Sequence, residues 1–244
     1  MAAGKPVYVE KPMAACHADC LEMAMMSGKS GIPLYVAYYR PYMPYFAKVE
    51  EILKSGRLGT IRHIHLRLFV QPRQQDHLRE NLSWRVLPQI AGGGYFYDMA
   101  PHQLNLLIHW FNMPTDIYGL PLHLKNLYPA EDTVSASMMF RGKIPCLGSW
   151  NFVAGEQEEE DVIEIFGSAG TLSFSTFGFT PVKLMDATGC ETFVLEKDET
   201  VQYHLIREIV RHLQGLGPYP GSLELAMQTN LLLDKILGKM SDKK

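Results

Sequence analysis

The sequence predicts an α+β protein, with a βαβ entry followed by a large, mostly antiparallel, open-faced sheet and flanking helices. Three observations predict it. Residues 7–36 place a helical stretch between two short runs rich in β-branched and aromatic residues, the pattern of a parallel βαβ unit. From residue 61 onward, short strand-like segments follow one another through turn-like pairs such as Arg141-Gly142 and Ala169-Gly170, which argues antiparallel pairing. Helical periodicity interrupts these strands near 98–110 and returns over two closing segments.

Taken in order, Val7–Glu10 reads as a strand that ends at Lys11 and Pro12. The helix after Pro12 carries an apolar stripe of Ala14, Ala18, Leu21 and Met25, with Gly28 placed to end it. PLYVAYYRP supplies the second strand, and residues 43–55 a helix with Phe46, Val49, Ile52 and Leu53 on one side, closed by Gly56. In IRHIHLRLF, Ile64, Leu66 and Leu68 alternate with His63, His65 and Arg67, so one strand face is apolar and the other polar. Further strands are expected near 116–124, 132–140, 144–153, 161–166, 171–175, 181–186 and 191–195. The helix over 98–110 has Leu104, Leu107, Ile108 and Phe111 as its core side. The closing helices span about 199–214 and 222–238, the first with Leu205, Ile209 and Leu213 on one face, the second with Ser222 as N-cap. The charge run from Glu156 to Asp161 reads as a solvated loop.

With 244 residues, 47% hydrophobic and 20% charged, the chain is long enough for a sizeable core. A net charge of −3 offers no basic surplus for nucleic acid. No stretch approaches the ~20 apolar residues of a membrane span, and MAAGKPVYVEKP lacks the apolar core of a signal peptide. Cys16, Cys20, Cys146 and Cys190 form no CxxC, so four free thiols in a reducing, cytoplasmic setting are expected.

Two places carry chemistry. In AGGGYFYDMAPHQLNLLIHW, Asp98 and His102 stand four apart and share one face of a helix, continued by Asn105 and His109. A histidine beside a carboxylate builds a general acid/base, although Asp98 could equally cap the helix, with Pro101 in its first turn. Gly92, Gly93 and Gly94 allow a close backbone approach. Lys11 stands at the C-terminal end of a parallel strand, where open α/β sheets bind ligands and where an ammonium can stabilise a developing alkoxide. The competing reading is a solvated strand-end lysine. Gly28-Lys29-Ser30-Gly31 follows a helix and precedes a strand, the reverse of a phosphate loop, and no GxGxxG occurs. His63 and His65 lack a third ligand of suitable spacing, so no metal site is expected.

Five blocks, in order and spacing, resemble the glucose-fructose oxidoreductase / inositol dehydrogenase (Gfo/Idh/MocA) family. They are AAGKPVYVEKPMA, LYVAYYRPYMPYFAKVEEILKSGRLGTIRHIH, SWRVLPQIAGGGYFYDMAPHQLNLL, VIEIFGSAGTLSF and PYPGSLELAMQTNLLLDKI. The resemblance implies an NAD(P)-dependent oxidoreductase of sugars, polyols or related carbonyl compounds. It implies that Lys11 contacts substrate and nicotinamide, that His102 is the acid/base, and that Asp98 binds substrate hydroxyls or orients the histidine. Trp84, Arg85 and Tyr97 would line the substrate cleft; Glu10, Lys11, Pro12 and Arg40 would face the cofactor. The partners implied are a sugar-like small molecule and a second copy of the chain on the open sheet face, with neither nucleic acid nor membrane.

The family's dinucleotide fingerprint and first β/α units lie upstream of the EKP segment and do not occur in these 244 residues. The expectation is therefore a remnant of a Rossmann domain over 1–40, a substrate and oligomerisation domain over 41–221, and a helix over 222–244 packing back on the Rossmann part. NAD or NADP is the family's cofactor, with weak or absent binding and little or no dehydrogenase activity expected of this chain alone. The alternatives are an NAD-dependent glycoside hydrolase of the same family and a non-catalytic dimerising or scaffold subunit.

Overall fold

In the computed structural model, which describes residues 1–239, the chain begins with β1 (Val7–Val9), α1 (His17–Ser30) and β2 (Leu34–Val36). β1 and β2 pair in parallel, so the entry is the expected βαβ unit. The helix differs from expectation at both ends. It starts at His17 because Asn230 grips the preceding segment, accepting from Met13 N and donating to Ala14 O, and so holds it extended. It runs through Gly28 to Gly31, which takes the left-handed conformation (φ 65°) that ends the helix without a Cβ penalty. The expected stripe is also turned outward: Leu21 and Met25 are exposed, while Cys20 and Ser27 are buried. The buried face is the one that meets helix α6 (Leu223–Ile236).

The main sheet has eight strands. They are β3 (Ile61–Phe69), β4 (Asp116–Leu122), β5 (Thr133–Phe140), β6 (Ile144–Asn151), β7 (Glu160–Gly167), β8 (Gly170–Phe174), β9 (Val182–Asp186) and β10 (Gly189–Phe193). Their order is β10-β9-β8-β7-β3-β6-β5-β4. Every neighbouring pair is antiparallel except β3 with β6, because β3 inserts between β7 and β6. The period-two pattern of β3 is realised: Ile64, Leu66 and Leu68 are buried and aligned with Cys146, Gly148 and Trp150 across the ladder.

This inner face is covered by α2 (Pro44–Lys54), α4 (Tyr95–Phe111) and α6. Trp150 is fully buried between them and donates its indole N–H to Gln103 at 2.8 Å. Burying one such side chain contributes about 1.5–3 kcal/mol. Helix α6 joins the two parts. Its Ala226 packs with the βαβ unit, while Leu232, Leu233 and Ile236 belong to the main core. It lies so close to β4 that a Cβ on Gly119 would overlap the Ile236 backbone. Helix α5 (Tyr203–Leu213) lies against β2 through Leu205 and Ile209, although Leu213, expected on that face, is exposed. The other face of the sheet is open and presents Tyr118, Leu120 and Leu147 to solvent.

The acidic run is not merely a loop. Glu156–Glu158 form a 3-10 turn, but Glu160 and Asp161 open β7. Glu160 holds Arg67 in a bidentate pair (2.8 and 2.9 Å), and Asp161 accepts from the backbone N–H groups of Thr176, Phe177 and Gly178 at 2.6–3.0 Å. All four cysteines are free thiols.

Candidate active site

β1 delivers Glu10, Lys11 and Pro12 to the start of helix α4. Gly94 is the helix N-cap and Tyr95 its first residue, three before the expected start at 98, so Asp98 lies inside the first turn instead of capping it. Its N–H donates to Gly94 O, and Pro101 lies inside the helix. Gly94 is held in turn by the Glu131 carboxylate, which accepts its N–H at 3.0 Å. A short helix α3 (Pro88–Ala91) precedes it and ends at Gly92 (φ 79°), where a Cβ would overlap the backbone of Ala15. A glycine is therefore required there on two counts, left-handed backbone and close approach. This contact rests the segment after Lys11-Pro12 against the glycine-rich turn.

The result is a compact charge cluster. Lys11 Nζ donates to Asp98 O at 2.6 Å and to Asp98 Oδ1 at 2.7 Å, and Arg85 Nε lies 3.4 Å from Asp98 Oδ2. The lysine side chain is only 11% exposed, so its ammonium is largely stripped of water, which strengthens its field on anything bound beside it. The Arg85 guanidinium also lies 4.6 Å from the Trp84 ring centroid, and Trp84 is exposed. Lys11, Pro12, Trp84, Arg85, Tyr97 and Asp98 together line a narrow cleft of about 40 Å³. That is space for about one water. Larger cavities lie elsewhere, among them one of about 500 Å³ on the open sheet, one of about 430 Å³ along α4 and one of about 600 Å³ beside Glu158–Glu160; the chemistry, not the volume, singles out the cleft.

His102 follows Asp98 by one helical turn but is buried, 5% exposed, against Tyr39 (ring centroids 5.4 Å apart) and Phe177 (5.7 Å). Its Nδ1 has no hydrogen-bond partner. Burial, then the positive charges of Arg40 and Lys11, hold its pKa well below the usual histidine value, so at neutral pH it is an uncharged imidazole. Asp98 and His102 thus share a face as the spacing requires, yet Asp98 is bonded to Lys11 and not to the histidine.

The other expected site residues are placed as follows. Arg40 is buried beneath the aromatic cluster, its Cζ 4.7 Å from Phe177 and 5.3 Å from Tyr39, with its pKa pushed down to about 10 by burial. Tyr97 lines the cleft, but its hydroxyl turns away to donate to Asp234 Oδ1 at 2.8 Å. Glu10 is exposed and accepts from Gln202 Nε2 at 2.9 Å. Three contributors were not singled out in sequence: Tyr39 and Phe177, which wall in His102, and Asp234, which accepts from Tyr97 and, at 2.8 Å, from His17 N. Only Tyr39 had a usable signal, its position beside Arg40 at the strand end.

That last bond bears on the cofactor. A helix N-terminus can offer N–H donors to an anion, but at α1 the Asp234 carboxylate already accepts from His17 N. No glycine-rich phosphate loop exists among the described residues. The cluster fits the reacting end of a nicotinamide-dependent reaction; these residues do not fit its phosphates. Among the described residues no group of three or more His, Cys, Asp or Glu side chains is placed to hold a metal ion, and no helix is long and apolar enough to cross a membrane.

Comparison with known proteins follows the same line. The family model described as the GFO/IDH/MocA C-terminal domain matches residues 46–173. Oxidoreductase P35 of Formosa agariphila is 29% identical over 235 residues, 96% of this chain and 72% of that protein. Among solved structures, an oxidoreductase domain protein from Kribbella flavida superposes with a TM-score of 0.83 at 21% identity, covering 100% of this chain and 74% of its own. Levoglucosan dehydrogenase in complex with NADH and L-sorbose superposes with a TM-score of 0.85 at 18% identity, covering 97% and 71%.

Proposed function

The chain belongs to the Gfo/Idh/MocA family of oxidoreductases, and from that premise we propose that the Lys11–Asp98–His102 cluster handles the hydroxyl end of a sugar or polyol during its NAD(P)-dependent interconversion with a carbonyl compound. The observation that carries this reading is the desolvated Lys11 ammonium fixed on Asp98 one helical turn from a neutral, buried His102. In the alcohol-to-carbonyl direction the neutral imidazole takes the hydroxyl proton. Lys11 stabilises the negative charge that grows on that oxygen. Asp98 holds Lys11 in place, and its oxygens accept from neighbouring substrate hydroxyls. The Trp84 ring offers a flat apolar face to a sugar. NAD(P), when bound, supplies the acceptor or donor of the hydride. Levoglucosan dehydrogenase, of the same fold, is known with NADH and a sugar, which supports the substrate class.

The open sheet face supports a second element of the reading, self-association. Tyr118 and Leu147 lie in one cross-strand row with Ser137 and His65, and Leu120 in the next row with Ser135, Ser149 and Arg67. An exposed apolar strip with a polar border is the usual makeup of an interface. We also assign residues 41–221 to substrate handling and association, with residues 1–40 and the α6 segment forming the wall that carries Lys11.

L-sorbose titration of the purified chain, followed by saturation-transfer NMR, tests the site. Binding is expected in the wild type and lost in Lys11→Met and His102→Asn; binding unchanged in both variants would overturn the assignment. Little or no NAD(P)H turnover is expected of these 244 residues alone, and steady turnover would refute the poor fit to the cofactor's phosphates.

A further inference from the structure

Beyond His102, the same stripe of α4 continues to Asn105 and His109, and there it borders a second cavity of about 430 Å³. That volume lies in the ~300–1,000 Å³ range of small-molecule sites. It shares no lining residue with the Lys11–Asp98 cleft. Its walls are mainly apolar and aromatic and include Tyr42, Tyr219, Leu223 and Leu225.

Asn105 Oδ1 has no partner, and the Tyr38 hydroxyl has none within 3.5 Å, although the Thr229 side chain acts on it. Asn105 is 1% exposed and Tyr38 8%. The amide orientation of Asn105 is fixed by chemistry. Thr229 spends its hydroxyl proton on Leu225 O at 2.7 Å, so toward Asn105 it can only accept, and Asn105 Nδ2 donates to it at 3.0 Å. The carbonyl oxygen is therefore the atom left over, a buried acceptor without a donor, which a ligand hydroxyl would satisfy. At the mouth, the Glu50 carboxylate already faces His109 at 3.7 Å and pairs with Lys54, so it is no free anion for a cationic ligand. The apolar walls leave most hydroxyls of a sugar unpaired.

We propose that this cavity binds a small, neutral, mainly apolar ring compound whose hydroxyl group donates to Asn105 Oδ1, a ligand of the phenol type. The Tyr38 hydroxyl accepts from or donates to the same group, and the ring packs between Tyr42, Tyr219, Leu223 and Leu225. The site is independent of the redox reading of the cleft, since neither its residues nor its ligand enter that chemistry.

The test is a titration of the full 244-residue chain, isotope-labelled with nitrogen-15, with phenol and with toluene, its counterpart lacking the hydroxyl. Phenol is expected to give saturable shifts of the Asn105 side-chain amide and of the Gly221 backbone amide, whose N–H is bonded to the Tyr42 hydroxyl at the cavity wall. Toluene should bind about tenfold more weakly, the worth of one net hydrogen bond. Leu225→Trp, which fills the cavity from its wall, should abolish the shifts. Asn105→Leu should narrow the preference for phenol over toluene; should that buried change unfold the chain, the Leu225→Trp variant still decides. Shifts that do not saturate, equal affinity for phenol and toluene in the wild type, or shifts that persist in folded Leu225→Trp would each overturn the proposal.

Discussion

Asp234 is expected to be among the most costly polar side chains to remove, and the cost can be worked from its two bonds. It is 3% exposed on α6, accepts the Tyr97 hydroxyl at 2.8 Å through Oδ1 and the His17 backbone N–H at 2.8 Å through Oδ2. Tyr97 is itself buried, and burial followed by the Asp234 charge raises its pKa far above the usual tyrosine value, so it remains a donor at every accessible pH. Asp234→Ala orphans both donors. Bonds to a charged acceptor contribute ~1.5–3 kcal/mol each, giving ~3–6 kcal/mol, from which the relief of burying a carboxylate subtracts part. A net loss of about 3 kcal/mol is expected. With a urea m-value of ~3 kcal/mol/M, the unfolding midpoint falls by about 1 M. Asp234→Asn should fall in between if its amide keeps the oxygen on Tyr97 and turns an NH2 toward the His17 N–H. Equilibrium urea unfolding followed by circular dichroism measures all three proteins. A midpoint shift for Asp234→Ala below about 0.3 M, or Asp234→Asn worse than Asp234→Ala, would refute the reasoning.

Three further outcomes are expected. The folded-state pKa of His102 is depressed, so the unfolded chain takes up a proton that the folded one resists once the pH drops below about 6.5; stability should fall with acidification through that window by up to ~1.4 kcal/mol per pH unit more than in His102→Asn, and parallel pH–stability curves for the two would contradict it. Gly92→Ala places a Cβ against Ala15 in a left-handed conformation and should destabilise by about 2 kcal/mol or more, read as a lowered urea midpoint; a neutral effect would mean that the Gly92–Ala15 contact is not as drawn. Leu147→Glu on the open sheet face should leave the fold intact by circular dichroism but shift sedimentation toward the monomer, and an unchanged sedimentation coefficient would remove that face from the interface.

The fold was legible where a segment's periodicity reports directly on what covers it. The alternation in β3 and the apolar stripe of α4 each face one large core, so pattern and burial coincide. In α1 they part company. Its strongest stripe, with Leu21 and Met25, points outward, and the burial of Cys20 and Ser27 is set by where α6 lies, a tertiary fact with no local trace. The parallel β3–β6 pairing is similarly invisible, because short connections describe which strands are consecutive, not which one inserts between two others. At the site, Lys11, Asp98 and His102 were legible from residue type, strand-end position and helical spacing. Their pairing was not: spacing alone puts Asp98 with His102, and only the fold shows Lys11 taking the carboxylate instead.

That substitution of partners changes what the histidine can do. A histidine bonded to a carboxylate has its protonated form stabilised. Here Lys11 and Arg85 neutralise Asp98, and His102 is acted on first by its burial and then by two cations, Arg40 and Lys11, so the imidazole is held uncharged and ready to accept a proton. The arrangement depends on residues remote in sequence. Asp161 gathers the backbone N–H groups of Thr176, Phe177 and Gly178, and thereby sets Phe177 against both the His102 ring and the Arg40 guanidinium. Among the described residues Arg40 has no carboxylate within ion-pair distance; aromatic faces surround it, an interaction worth about 2 kcal/mol when desolvated, and the Asp161 charge also favours its cationic form. A carboxylate in direct contact with Arg40 would stabilise the cation further, but it would also weaken the positive field that adds to burial in keeping His102 neutral. An aromatic cage that holds a positive charge next to a buried histidine favours proton acceptance, and that is the physical argument behind the role proposed for this cluster.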